Sequence, residues 1–165
     1  MQGDVKPENV LVCPEDNPGC PYVAKLSDFG LCISLEQEKL TYASYAGTTA
    51  WNAREIQAGM KAGPLRDSRL LLKCDAFSLA LLALSVLVSN GEPPFSVTRG
   101  DPVKYPSTAT ECLNRDPSIP GDIKMRFTAM FRTQLDADPE KRRDVTHELI
   151  KIEDSPAFGR WLVTY

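Results

Sequence analysis

The chain has 165 residues, one domain at about 150 residues per domain. Its 42% hydrophobic and 25% charged residues are ordinary for a globular protein, which excludes a disordered tail, a collagen-like fibre and a coiled coil. Nineteen basic against 22 acidic side chains leave a net charge of −3, so nothing points to nucleic-acid binding by bulk charge.

The longest near-continuous apolar run, 76–89, is 14 residues and reads as a buried core helix rather than a membrane span. The N-terminus has no basic-then-apolar signal pattern, so the expected compartment is intracellular, the cytoplasm. Cys13, Cys20, Cys32, Cys74 and Cys112 are odd in number and form no CxxC. In a reducing compartment they read as free thiols, and a Cys13–Cys20 bridge across one loop is not expected. A single histidine, His147, excludes a multi-histidine metal site and almost any triad that needs a histidine base elsewhere. It reads as a bystander on a surface helix.

In chain order, 10–12 and 23–26 are short apolar or β-branched runs around a loop with Pro14, Pro18 and Pro21. They predict a β-hairpin with a long loop. Antiparallel pairing would bring Asn9, before the first strand, beside Ser27 and Asp28, after the second. Residues 42–50 and 59–68 read as loop, and 53–57 as a short helix. Asp75 reads as the N-cap of a helix apolar on every face, about 75–90, stopped by Asn90-Gly91 and the prolines 93 and 94. Such a helix must be surrounded by protein and marks the domain centre. A short helix is expected near 108–114. Ile123, Phe127, Met130 and Phe131 predict an amphipathic helix over 122–134, and Val145, Leu149 and Ile152 a last one over 145–152.

The sharpest motif is Asp4-Val5-Lys6-Pro7-Glu8-Asn9. It supplies a carboxylate, an amine two residues on and an amide five residues on. Phosphoryl transfer uses these parts: a carboxylate for the proton of the attacking hydroxyl, a cation for the moving phosphoryl group, an oxygen ligand for Mg²⁺. A second oxygen ligand stands at Asp28 in Asp28-Phe29-Gly30, at the end of the hairpin where Asn9 lies.

Together these motifs resemble the C-terminal lobe of a eukaryotic protein kinase. Asp4, Lys6 and Asn9 match the catalytic loop HRDxKxxN, and 28–30 the DFG element. Residues 47–55 resemble the end of the activation segment, GTxxYxAPE. Residues 75–79 resemble the DxWSLG start of the central helix, 91–95 the turn after it, and Leu135 with Asp138 to Arg142 the LxxDPxxR element. Lys6 and Thr48 resemble the serine/threonine branch. The implied fold is mainly α with a small β-hairpin. Residues 1–152 form the lobe, with the catalytic loop at 2–9 and the activation segment at 28–55, and 153–165 form a tail.

The resemblance implies ATP and Mg²⁺ as cofactors and serine or threonine of a protein as acceptor. Asp4 would be the base, Lys6 would contact the phosphoryl group, and Asn9 and Asp28 would hold Mg²⁺. Leu11 would form the apolar floor under the adenine, and Thr48 would hydrogen-bond toward Asp4 and Lys6. Glu55 and Arg142 resemble a buried ion pair, and Asp75 a residue that also binds the catalytic-loop backbone.

Departures matter as much. Gln2 replaces the family's histidine, and Gly3 an arginine that usually grips a phosphorylated loop. Ser44 falls where the main loop phosphosite often lies, with Thr41, Tyr42 and Tyr45 as nearby candidates; without an arginine at position 3 a phosphate there loses its expected partner, so switching by loop phosphorylation is not expected. Arg54 replaces the proline of APE, and Arg143 a common proline after Arg142. The 165 residues hold no Gly-rich loop, VAIK-type lysine or partner glutamate. The N-terminal lobe is missing, and negligible kinase activity is expected of this chain alone. Apolar surface meant for that lobe would be open to a covering protein. The alternatives are a binding or scaffold module of pseudokinase type and a small-molecule phosphotransferase of the aminoglycoside or choline kinase type, which shares Gly3-Asp4 and Asn9. No nucleic-acid or membrane partner is expected.

Overall fold

The computed structural model describes residues 1–16, 21–37, 39–57, 65, 67–95 and 101–143. It is mostly helical, with one two-stranded antiparallel sheet. Strands β1 (Val10–Pro14) and β2 (Tyr22–Leu26) pair with Val10 opposite Leu26 and Pro14 opposite Tyr22. The hairpin expected from the two apolar runs is present. Because the Ser27 amide donates to the Asn9 carbonyl at 2.9 Å, the ladder continues one step past the strands and sets Asp28 at the same end of the hairpin as the loop that carries Asp4 and Asn9. The hairpin is no core layer, since Leu11, Val12, Tyr22 and Leu26 are all exposed.

Helix α1 (Arg54–Gln57) is short, as the sequence predicts. Helix α2 (Arg69–Val88) is the centre of the fold. It starts six residues before Asp75, so Asp75 is not its N-cap. Leu70, Leu71, Leu72, Lys73 and Cys74 are competent helix formers and carry the helix back to Asp67, whose carboxylate accepts from the Arg69 amide at 2.9 Å. Leu71, Cys74, Phe77, Ala80, Leu81 and Leu84 are buried along it, and no face is wholly exposed. By length and composition α2 could cross a membrane, yet 56% of its most apolar 18-residue window is buried inside the protein. At its end Asn90 (φ +50°) and Gly91 (φ +86°) turn left-handed, and the Ser89 and Gly91 amides both reach the Ser85 carbonyl. The expected stop therefore falls where Asn90-Gly91 places it.

Helix α3 (Tyr105–Arg115) is longer than the expected 108–114, and α4 (Gly121–Gln134) buries the predicted stripe of Ile123, Phe127, Met130 and Phe131. The two pack on each other and on α2. Phe95, just past the turn, stacks on Tyr105 with ring centroids 4.2 Å apart, which seats the start of α3. Residues 145–152, with His147, and Cys20 lie outside the described residues. Cys13, Cys32, Cys74 and Cys112 are free thiols.

Candidate active site

The turn that carries the site is local in origin. Pro7 opens a 3₁₀ turn, Pro7–Asn9, with its fixed φ, and the Asn9 amide closes it on the Lys6 carbonyl at 3.1 Å. The turn brings Asn9 back over Asp4. Asn9 Nδ2 donates to the Asp4 carbonyl at 2.9 Å and to Asp4 Oδ2 at 3.2 Å. Lys6 Nζ lies 2.9 Å from the same oxygen. Only the tertiary fold adds Thr48: its amide donates to Asp4 Oδ1 at 2.7 Å, and its hydroxyl accepts from Lys6 Nζ at 2.8 Å. Asp4, Lys6, Asn9 and Thr48 thus form one hydrogen-bonded cluster.

Asp4 is buried, and burial alone would raise its pKa. The bonds from Lys6 and Thr48 outweigh that and hold the carboxyl below its ordinary range, so it is ionised at neutral pH. The result is a preformed anionic acceptor with an ammonium on one side. Such a pair can take a proton from a hydroxyl while a cation stands close to incoming negative charge.

Asp28 does not join this cluster. It sits at φ +52°, a left-handed backbone that aspartate tolerates better than most residues, and its Oδ1 accepts from the Gly30 amide at 3.1 Å. Its position is set through the main chain by Gln2. Gln2 Nε2 donates to the Ser27 and Asp28 carbonyls at 3.3 and 3.1 Å, while Gln2 Oε1 accepts from the Asp4 amide at 2.6 Å. An amide side chain both donates and accepts, so one residue ties the Asp28 backbone to Asp4. The sequence marks Gln2 only as a departure; its bridging role has no signal in the pattern of residues. Leu11 lies two residues beyond Asn9 on β1 and is 54% exposed, so it is not a core residue. Asn9 and Asp28 offer an amide oxygen and a carboxylate, hard donors of the kind Mg²⁺ takes, and their residue types fit that ion. Among the described residues no group of three or more His, Cys, Asp or Glu side chains could form a metal site by itself.

Two further elements hold the frame. The Asp75 carboxylate accepts from the Gln2 and Gly3 amides at 2.8 and 3.1 Å, so its expected contact with the backbone of that loop is present although its capping role is not. Burial raises its pKa despite those bonds. Gly3 has φ +85°, and a Cβ there would collide with the Leu31 carbonyl, so in this conformation the loop has no room for a side chain at this position. Glu55 and Arg142 form a bidentate pair, 2.6 and 2.9 Å, at 1% and 0% side-chain exposure. Arg142 also donates to the Asp136 and Lys73 carbonyls and lies 4.8 Å from the Phe77 ring centroid.

A mostly helical fold with one hairpin, carrying an aspartate, lysine, asparagine and threonine in one cluster, defines a kinase-like fragment. The family model for the protein kinase domain matches residues 1–151, and the chain belongs to that family. Proteins similar to it include two named as serine/threonine-protein kinases and a rhodopsin kinase. It is 24% identical over 159 residues to the serine/threonine-protein kinase SKM1 of Saccharomyces cerevisiae, covering 93% of this chain and 21% of that protein. It is 28% identical over 154 residues to the serine/threonine-protein kinase MST20 of Pyricularia oryzae, covering 91% and 14%. It is 28% identical over 151 residues to rhodopsin kinase GRK1 of Rattus norvegicus, covering 90% and 24%. The chain therefore spans less than a quarter of the length of each of these relatives.

Proposed function

We propose that residues 1–152 are the C-terminal lobe of a serine/threonine protein kinase, followed by a tail over 153–165. In a longer polypeptide the lobe would serve transfer of a phosphoryl group from ATP to serine or threonine of a protein, in the cytoplasm. The observation that carries this reading is the preformed cluster around the ionised Asp4. Asp4 orients the acceptor hydroxyl and takes its proton. Lys6, anchored by Thr48, stands where it can neutralise charge on the group in transfer. Asn9 and Asp28 would hold Mg²⁺, which when bound neutralises phosphate charge. Leu11 would lie under the adenine, and its exposure leaves it free for such a contact. The 165 residues hold no Gly-rich loop, VAIK-type lysine or partner glutamate, so negligible transfer is expected from this chain alone.

A second reading, a binding module without catalysis, is favoured by one observation. Leu11, Leu26, Phe29 and Leu31 are 54%, 45%, 61% and 42% exposed around the hairpin and the DFG element, a surface that a covering protein would shield.

The test begins with the transcript's 5′ end and the size of the endogenous protein. The endogenous product is then purified and assayed with ATP, Mg²⁺ and a mixed serine/threonine protein substrate. Transfer that is lost in Asp4→Asn supports the kinase reading. A correctly folded product that binds partners but transfers no phosphate, with or without Asp4, refutes it in favour of the binding module.

A further inference from the structure

Tyr45 lies just past a 3₁₀ turn, Tyr42–Ser44, and is only 3% exposed. Its hydroxyl donates to Asp75 Oδ1 at 3.0 Å and lies 3.4 Å from Ser78 Oγ, which itself donates to the Trp51 carbonyl at 2.8 Å. The carboxylate that receives Tyr45 is the one that holds the Gln2 and Gly3 amides, and Oδ1 serves both Tyr45 and Gly3. A buried hydroxyl on the loop and two amides of the catalytic loop therefore share one acceptor group.

A second contact runs beside the first. At Gly47 an added Cβ would meet the Tyr45 ring at 2.7 Å and the Gly3 carbonyl at 2.8 Å, so the backbone of the segment is pressed directly onto the catalytic loop. The next amide along, that of Thr48, is the donor to Asp4 Oδ1. From Tyr45 to Asp4 the segment is thus held at both ends: through Asp75 at Tyr45, through Asp4 at Thr48, with Gly47 packed between. Ser44, one residue earlier, is exposed, and its hydroxyl accepts from the Thr41 amide within its own turn. Gly3 has no side chain with which to reach a modified Ser44.

We propose that Tyr45 is a positioning residue whose hydroxyl, through Asp75, locks the 41–48 segment to the 2–4 loop, so that the donors around Asp4 are assembled without modification of the segment. The proposal rests on the reading of Asp4 as the proton acceptor, and it replaces a phosphate-to-arginine clamp with a neutral hydroxyl-to-carboxylate one. Removing the hydroxyl leaves Asp75 with one donor fewer and Tyr45 without its hydrogen bond to α2. The segment then opens locally and Thr48 releases Asp4.

The test is amide hydrogen exchange on the full 165-residue chain, followed by NMR, for the unaltered protein and for Tyr45→Phe, Asp75→Asn and Ser44→Ala. Tyr45→Phe should speed exchange at the Thr48, Gln2 and Gly3 amides about fivefold, the worth of one ordinary hydrogen bond, and leave the amides of α4 unchanged. Asp75→Asn keeps the shape of the acceptor and weakens it, and should free the same three amides. Ser44→Ala should free none. An unchanged Thr48 amide in Tyr45→Phe overturns the proposal. So does acceleration spread equally over α4, which would make Tyr45 merely structural, and so does release of the same amides by Ser44→Ala. If Tyr45→Phe does not fold, Asp75→Asn decides alone by the Thr48 amide measured against α4. None of these readings uses phosphate transfer, so failure of the catalytic reading and failure of this coupling are separate results.

Discussion

Substituting Glu55→Gln removes one charge from the most buried ion pair among the described residues. Arg142 would keep its bonds to the Asp136 and Lys73 carbonyls, at 2.9 and 3.2 Å, and its place over the Phe77 ring. It would lose the counter-charge, and no water reaches it at 0% side-chain exposure. Breaking a buried pair from one side costs about 3–5 kcal/mol, because the remaining charge is stranded. The surviving backbone acceptors put the expected loss at the lower end, about 3 kcal/mol. With a urea slope of about 2 kcal/mol per molar for a chain of this size, the midpoint should fall by about 1.5 M with the slope unchanged. The assay is urea unfolding followed by circular dichroism. The double variant Glu55→Gln with Arg142→Met, which leaves no stranded charge, should recover much of the loss. A loss below about 1 kcal/mol in the single variant would refute the reasoning, since the guanidinium would then be neutralised or hydrated in a way this geometry does not provide.

Gly47→Ala should destabilise the chain by about 1–3 kcal/mol, because the added methyl meets the Gly3 carbonyl, which is backbone and cannot swing aside. Urea unfolding checks the size, and an unchanged midpoint would contradict the close approach. Stability should also fall in alkali. Burial raises the pKa of the Cys74 thiol and the Tyr45 phenol, and that of Tyr42 to about 12. The unfolded chain releases these protons from the ordinary values of 9.0 and 10.0 upward while the folded chain still holds them. The contribution is therefore complete below about pH 9 and is lost as the pH climbs toward the folded values. Urea midpoints at about pH 8 and about pH 10.5 test the sign; Tyr45→Phe should make the decline shallower, and a midpoint that does not fall between the two would show the tyrosines and the thiol to be solvated.

Much of the site is legible in the order of residues. Asp4, Lys6 and Asn9 lie within six consecutive residues, and Pro7 opens the turn that carries Asn9, so local geometry alone brings Lys6 and Asn9 onto the Asp4 carboxylate. The hairpin follows from two short apolar runs, and α4 from the spacing of Ile123, Phe127, Met130 and Phe131. What periodicity could not locate was the start of α2. A helix apolar on every face has no polar edge to mark its first turn, and Asp75, which reads as a cap, is an interior residue whose carboxylate serves the loop at residues 2 and 3. The hydrogen bonds of Gln2 and Tyr45 were equally invisible. Their partners lie 25 and 30 residues away, and nothing in a polar loop announces which distant acceptor it will meet.

Short-range chemistry was thus determined by the sequence itself: the carboxylate, the ammonium and the amide of one turn, and the elements that pack by apolar period. Tertiary structure decided which distant groups complete them. Thr48 reaches Asp4 across 44 residues, and Arg142 reaches Glu55 across 87. Those bonds depend on the whole core of α2, α3 and α4 being in place, because hydrogen bonds and ion pairs of this kind are favourable only once burial has already excluded water and fixed both partners.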